Sequence, residues 1–203
     1  MHPAQQTRAE RRDRARNVVR VEILLAARRV AQRDGGRNLS LRSVAAEAGF
    51  APAALYGYFR SKDELMLALA ADDLTQIARA MREATTQHAS GGQFTAATSA
   101  ALNLLADTET LAAACASLAP GTNDGEMGRL FNGRLIAALT ALSAVAGNHA
   151  RSRDAQADVI LLAASLAGLA LLRRAGCLQA LGFSAEEMLD RVEIHFSRTK
   201  APA

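Results

Sequence analysis

Apolar residues in this chain recur three and four positions apart, and no stretch alternates in the two-residue rhythm of a half-buried strand followed by a hairpin signal. Val19, Ile23, Ala27 and Val30 form one such stripe, and Leu65, Leu69, Leu74, Ile77 and Met81 form another. Alanine, a strong helix former, dominates, and aromatic residues make up only 4% of the chain. The spacing predicts an all-α fold of about nine helices. Breakers divide them. After a charged arm over residues 1–16, the first helix ends at Gly35-Gly36. Ser40 caps a short helix that runs to Ala48, Gly49 turns the chain, and Pro52 opens the next helix where its missing N–H matters least. Ser61-Lys62-Asp63-Glu64 reads as a capping box that starts a long helix, fading near Ser90-Gly91-Gly92. Further helices are expected at about 93–106, 108–118, 125–147, 154–174 and 184–199, the last behind a second capping box, Ser184 to Glu187. The stretch from Gly176 to Gly182 reads as a breaker.

Charge is unevenly placed. Residues 1–62 hold 13 Arg and Lys against 5 Asp and Glu, whereas the whole 203-residue chain nets only +4. A strongly basic N-terminal third on an acidic body points to a polyanion partner at one end. The first seventeen residues are basic without an apolar core, so no secretory signal is expected and the chain reads as cytoplasmic. The longest apolar run, Val159 to Leu172, has 14 residues between Asp158 and Arg173. As a helix it spans about 21 Å, short of the roughly 30 Å hydrocarbon layer, and is expected as a buried core helix. Cys115 and Cys177 make neither a disulfide framework nor a metal site, and His2, His88, His149 and His195 lack ligand spacing. No nucleophile elbow, phosphate loop or paired-carboxylate motif supports an enzyme reading, and neither cofactor nor metal is expected.

Residues 40–59 carry the functional signal. Two short helices around a tight turn need a small residue where they cross, and Ala45 supplies it. The turn needs a residue at ease with positive φ, and Gly49 stands four later. Leu55 gives the second helix an apolar anchor, with Val44, Ala48, Phe50 and Phe59 closing a small core. This pattern matches a helix-turn-helix, whose second helix enters the major groove of double-stranded DNA. A plain αα-hairpin is the alternative, against which the basic flank weighs.

From about Val18 to Leu69 the chain resembles the TetR family of bacterial transcription regulators. The resemblance rests on the first stripe ending at Gly35-Gly36, on Ser40-Leu-Arg-Ser-Val-Ala, on Ala48-Gly49-Phe50, and on Leu55-Tyr56-Gly57-Tyr58-Phe59 followed by Ser61-Lys62-Asp63-Glu64-Leu65. It implies a DNA-binding domain over residues 1–62 and a helical ligand-binding and dimerisation domain over 63–203. The chain is then a homodimeric repressor of a near-palindromic operator, released by a small apolar effector. It also implies phosphate contacts from Tyr56 and Lys62, with Ser40 and Arg42 on the backbone beside them, and base reading by Pro52, Ala53, Ala54 and Gly57. Ala51 and Gly57 depart from the commoner family pattern of a serine cap and a larger residue. Few side chains here can make bidentate base contacts, so phosphates and DNA shape should carry more of the recognition. Arg8, Arg11, Arg12, Arg14 and Arg16 could follow the DNA backbone or reach a minor groove, or form a solvated tail.

The last two long apolar helices are the natural pair for a four-helix dimer seam, with Leu161, Leu162, Leu166, Leu169, Leu189, Val192 and Phe196 as its residues; the alternative is that they complete the subunit core. A pocket here would be walled mainly by aliphatic side chains with Phe131. Polar residues inside apolar helices would orient a ligand: Asn103, Cys115, Asn132, Arg134, Thr140 and Ser165. An architectural or partner-regulated DNA-binding protein of the same fold, without a small-molecule effector, is the other functional reading.

Overall fold

The computed structural model describes residues 8–36, 38–88, 91–108, 110–111, 125–147 and 152–198. Among these residues there are nine helices and no strand: α1 Arg8–Asp34, α2 Leu41–Ala48, α3 Pro52–Leu55, α4 Lys62–Gln87, α5 Gln93–Asp107, α6 Glu126–Val145, α7 Arg153–Arg174, α8 Cys177–Ala180 and α9 Ala185–Arg198. The helix expected at 108–118, and Cys115 with it, lies almost wholly outside the described residues.

Local chemistry sets most of the boundaries. α1 stops where Gly35 takes a left-handed φ of 81°. Ser40 caps α2 reciprocally with Ser43, each backbone N–H donating to the other's hydroxyl at 3.0 and 3.1 Å. At the end of α2, Gly49 has φ 74°, a conformation that costs any L side chain strain. Ser184 and Glu187 form the expected capping box. At Ser61 the pattern shifts by one residue: Ser61 accepts from the Glu64 N–H, but the Glu64 carboxylate accepts from Arg60 rather than from Ser61.

Two expected boundaries change. The arm over residues 1–16 is not separate from the first helix, because α1 already runs from Arg8 without a break. No Gly or Pro interrupts residues 8–34, so propensity lets the helix continue beyond its packed portion. The Gly176–Gly182 stretch holds one extra turn, α8, opened by Gly176 at φ 71° and anchored by buried Leu178.

α4 is the spine. Its N-terminal end packs against α1, and its length is flanked by α5 and α6; α7 covers α5, and α9 packs on α5 and α7. All five predicted inward residues of α4 are buried, in one core with Ile23, Val44, Leu55 and Phe59 at one end and Leu102, Phe131, Leu162 and Leu166 at the other. α7 departs from the buried core helix expected for it. Val159, Leu162, Leu166 and Ala170 face inward, but Ile160, Leu161 and Leu171 are about 60% exposed (58%, 59% and 61%). The neighbouring helices cover only one side of a helix that is apolar all round.

Candidate nucleic-acid interface

The helix-turn-helix closes on a small core. Ala45 and Val44 of α2, Leu55 of α3 and Phe59 beyond it are fully buried, and the Phe50 N–H donates to the Ala45 carbonyl at 2.9 Å across the turn. With Leu55 pointing inward, the rest of α3 points out: Ala51, Pro52, Ala53, Ala54, Tyr56 and Gly57 are exposed, Tyr56 to 60%. Regular α3 is a single turn, and Ala51 gives its N-terminus no side-chain cap. Its exposed surface is methyl groups, a proline ring and one phenol. Such a surface can touch thymine methyls and reach a phosphate, but it cannot make paired hydrogen bonds to a base.

The predicted phosphate-binding residues stand around this helix. Arg42 is exposed in the first turn of α2, and Ser40 is the exposed cap before it. Lys62 is the first residue of α4, half-buried at the N-terminal, partially positive end of that helix. Ser40, Arg42 and Lys62 thus flank the segment predicted to read bases, and Tyr56 lies within it.

α1 buttresses this unit through its arginines. The Arg16 Nη2 donates to the Gly57 carbonyl at 2.7 Å, and its guanidinium carbon lies 5.5 Å from the Tyr58 ring centroid. Arg20 lies 5.2 Å over the Phe59 ring and reaches the Met127 sulfur at the start of α6. Arg29 and Arg33 hold Glu47 of α2 at 2.7 and 2.9 Å, and these two guanidinium groups keep the Glu47 carboxyl below the usual carboxylate range. Part of the N-terminal positive charge therefore serves the fold itself.

A polar cluster missed by the sequence reading joins the two ends of the core. The Arg28 Nη2 donates to Asp72 at 2.7 Å and to Asp73 at 2.5 Å, and the Thr110 hydroxyl donates to Asp73. Asp73 is buried. Burial pushes its carboxyl above the usual range, against the opposing pull of Thr110 and Arg28. The available signal was two adjacent acids inside the apolar run of α4, one of which had to face inward.

The residues expected around an effector do not gather at one place. Phe131 is buried and Asn132 half-buried on α6, whereas Arg134 and Thr140 of the same helix are exposed. The Thr140 and Ser165 hydroxyls donate to carbonyls one turn back, Ile136 and Leu161. Asn103 is exposed and accepts from Arg173 at 2.5 Å. Ser165 alone of the set lines an open groove of about 610 Å³ between α7 and α9, with Leu169, Leu172, Val192, Ile194 and Phe196.

Of the residues expected at a dimer seam, Leu162, Leu166 and Leu189 are buried in the core of the chain, Leu169, Val192 and Phe196 are half-buried along that groove, and Leu161 is exposed. The outward apolar surface of α7 belongs to Ile160, Leu161, Leu171 and Leu172.

Comparison with known proteins agrees with this architecture. Residues 23–69 match the family model for bacterial regulatory proteins of the tetR family. The HTH-type nicotine-responsive transcriptional repressor HdnoR of Paenarthrobacter nicotinovorans is 45% identical over 62 residues, 30% of this chain and 32% of that relative, so the chain matches about a third of its length. Among solved structures, a Rhodococcus sp. RHA1 protein of unknown function is similar over 100% of both chains, at 24% identity and a TM-score of 0.72. The transcriptional regulator FadR of Bacillus subtilis, in complex with stearoyl-CoA, is similar over 87% of this chain and 96% of its own, at 18% identity and a TM-score of 0.60. Residues 23–69 thus match the DNA-binding region of the tetR family, and the chain as a whole shares the fold of these solved structures.

Proposed function

We propose that the chain is a cytoplasmic transcriptional repressor. It binds a near-palindromic DNA operator as a homodimer and is released by a small apolar effector. The observation that carries the DNA-binding reading is the outward face of α3, exposed from Pro52 to Gly57 around buried Leu55, with Tyr56 on it and Lys62 beyond it. Residues 1–62 form the DNA-binding domain and 63–203 the effector and dimerisation domain, with α4 beginning at that junction. Tyr56, Lys62, Ser40 and Arg42 bind phosphates; Pro52, Ala53, Ala54 and Gly57 lie against base edges.

The outward face of α7 supports the dimer. Ile160, Leu161, Ala164, Gly168, Leu171 and Leu172 share one outward face, and an added Cβ on Gly168 would meet nothing within 4 Å. An exposed apolar face of this kind marks an interaction site, and in a two-fold dimer it would meet the same face of a second copy. Leu169, Val192 and Phe196 border the seam, and Leu162, Leu166 and Leu189 support it from beneath.

An effector would act by preferring the subunit arrangement in which the two α3 helices no longer fit one face of the duplex. The match to HdnoR is confined to about a third of that protein and says nothing about nicotine here. The mainly aliphatic interior, with Leu102, Phe131 and Leu142 buried, suits an aliphatic effector, in keeping with the acyl ligand of the similar FadR structure. Gel shift with DNA upstream of the gene tests the binding reading: a specific complex at modest salt is expected, and its absence sinks the reading. A second reading, DNA binding controlled by a protein partner, is favoured by the scatter of Asn103, Thr140 and Ser165 over separate surfaces. If no apolar compound both raises the melting temperature and releases DNA, that second reading replaces the first.

A further inference from the structure

The packed face of α1 continues past the edge of the DNA-binding domain. Ile23, Ala27 and Val30 carry it through the core. Arg20, Arg16, Arg12 and Arg8 follow at four-residue steps, each turned only about 40° from the last. The inner two are anchored, Arg20 over the Phe59 ring and Arg16 on the Gly57 carbonyl and the Tyr58 ring. The outer two, Arg12 and Arg8, are exposed and stand about 6 and 12 Å further along the axis than Arg16. The acids of this stretch, Glu10 and Asp13, fall 100° or more round from Arg12, on the side that also carries Arg14, Asn17, Val18 and Val21, so the side of Arg8 and Arg12 holds arginine without an acid. The overhang therefore presents arginine on the side that abuts the end of the base-reading segment.

We propose that Arg8 and Arg12 form a second phosphate-binding element, a rigid helical arm that grips the DNA backbone outside the stretch covered by α3. The proposal rests on the DNA-binding reading above and assigns the arm's partner, which the sequence left open. The anchor fixes its direction: Arg16 ties α1 to Gly57, so docking α3 carries the arm to the duplex in one orientation. Like charges four residues apart on a helix repel one another, and a row of phosphates relieves that repulsion. An α3 surface poor in hydrogen-bonding side chains leaves such backbone contacts a larger share of the affinity.

The test uses full-length protein and a duplex that the wild-type protein selects from a random-sequence pool. Binding is followed by fluorescence anisotropy between about 50 and 200 mM salt. The Arg8→Ala/Arg12→Ala variant should lower the magnitude of the salt slope by close to two, at about 0.9 per lost phosphate contact. It should also weaken binding alike across operator variants, while circular dichroism shows α1 retained. The Arg8→Lys/Arg12→Lys variant should restore most of the slope. Trimming the outer flanks of the duplex should weaken the wild type and leave the alanine variant unchanged. An unchanged slope, or a loss that lysine does not restore, would overturn the arm while leaving specific binding intact. If the wild type selects no sequence, the DNA-binding reading itself falls.

Discussion

Tyr56 and Lys62 differ in what they would bring to a phosphate. Tyr56 offers one phenol hydroxyl from a largely exposed side chain, and Lys62 a charge at the opening turn of α4. Tyr56→Phe should weaken operator binding by about 1 kcal/mol, equally for all sequences, with the salt slope unchanged. Lys62→Ala should weaken it and reduce the slope by about 0.9. Salt titrations of the two variants separate these effects; a change in sequence preference alone would contradict both assignments. Asp73 poses a different problem, since its carboxyl is buried and its proton affinity raised. A folded state that holds this proton more tightly than the unfolded chain loses stability as pH rises above about 4, the ordinary aspartate value, through the raised folded one. Asp73→Asn removes that loss. Its stability relative to wild type should therefore be more favourable at pH 7 than at pH 4 in urea denaturation; an equal difference at both would count against the assignment. Arg28→Ala should destabilise the fold by about 3 kcal/mol, because it leaves a buried carboxylate without its cation.

Helix ends were the most readable elements. Gly35, Gly49, Ser61 and Ser184 each mark a boundary by a backbone or capping requirement that acts within a few residues, so the chain states it locally. Gly49→Ala should cost about 1–2 kcal/mol of stability, measured by chemical denaturation, because its φ of 74° is strained for any residue with a Cβ. The inward stripe of α4 was equally plain from its spacing. The sides of α7 were not. An all-apolar helix gives no period to say which side a subunit keeps, and contact with α5 decided for Val159, Leu162 and Leu166 over Ile160, Leu161 and Leu171. The start of α1 was also hidden, since arginine-rich sequence serves a coil and an exposed helix alike. The Arg28–Asp73–Thr110 cluster was out of reach because it joins residues 45 and 37 positions apart.

The molecule as a whole divides its chemistry along α4. The N-terminal end carries the basic surface and the helix-turn-helix, and the other end carries apolar surface that one subunit does not cover. Arg28, with Asp72 and Asp73, and Arg20, with Met127, are polar contacts that tie α1 to the C-terminal helices and α4. Leu171→Glu should turn the proposed dimer into a monomer by analytical ultracentrifugation and abolish operator binding, while the fold, read by circular dichroism, persists. A variant that remained dimeric would move the seam away from α7. The central claim is that two copies place their α3 helices in one duplex. Hydroxyl-radical footprinting on the selected duplex tests it most directly. Two related patches of protection about 34–36 Å apart, or a multiple of that distance, are the predicted result. A single patch, or even protection without half-sites, would contradict it.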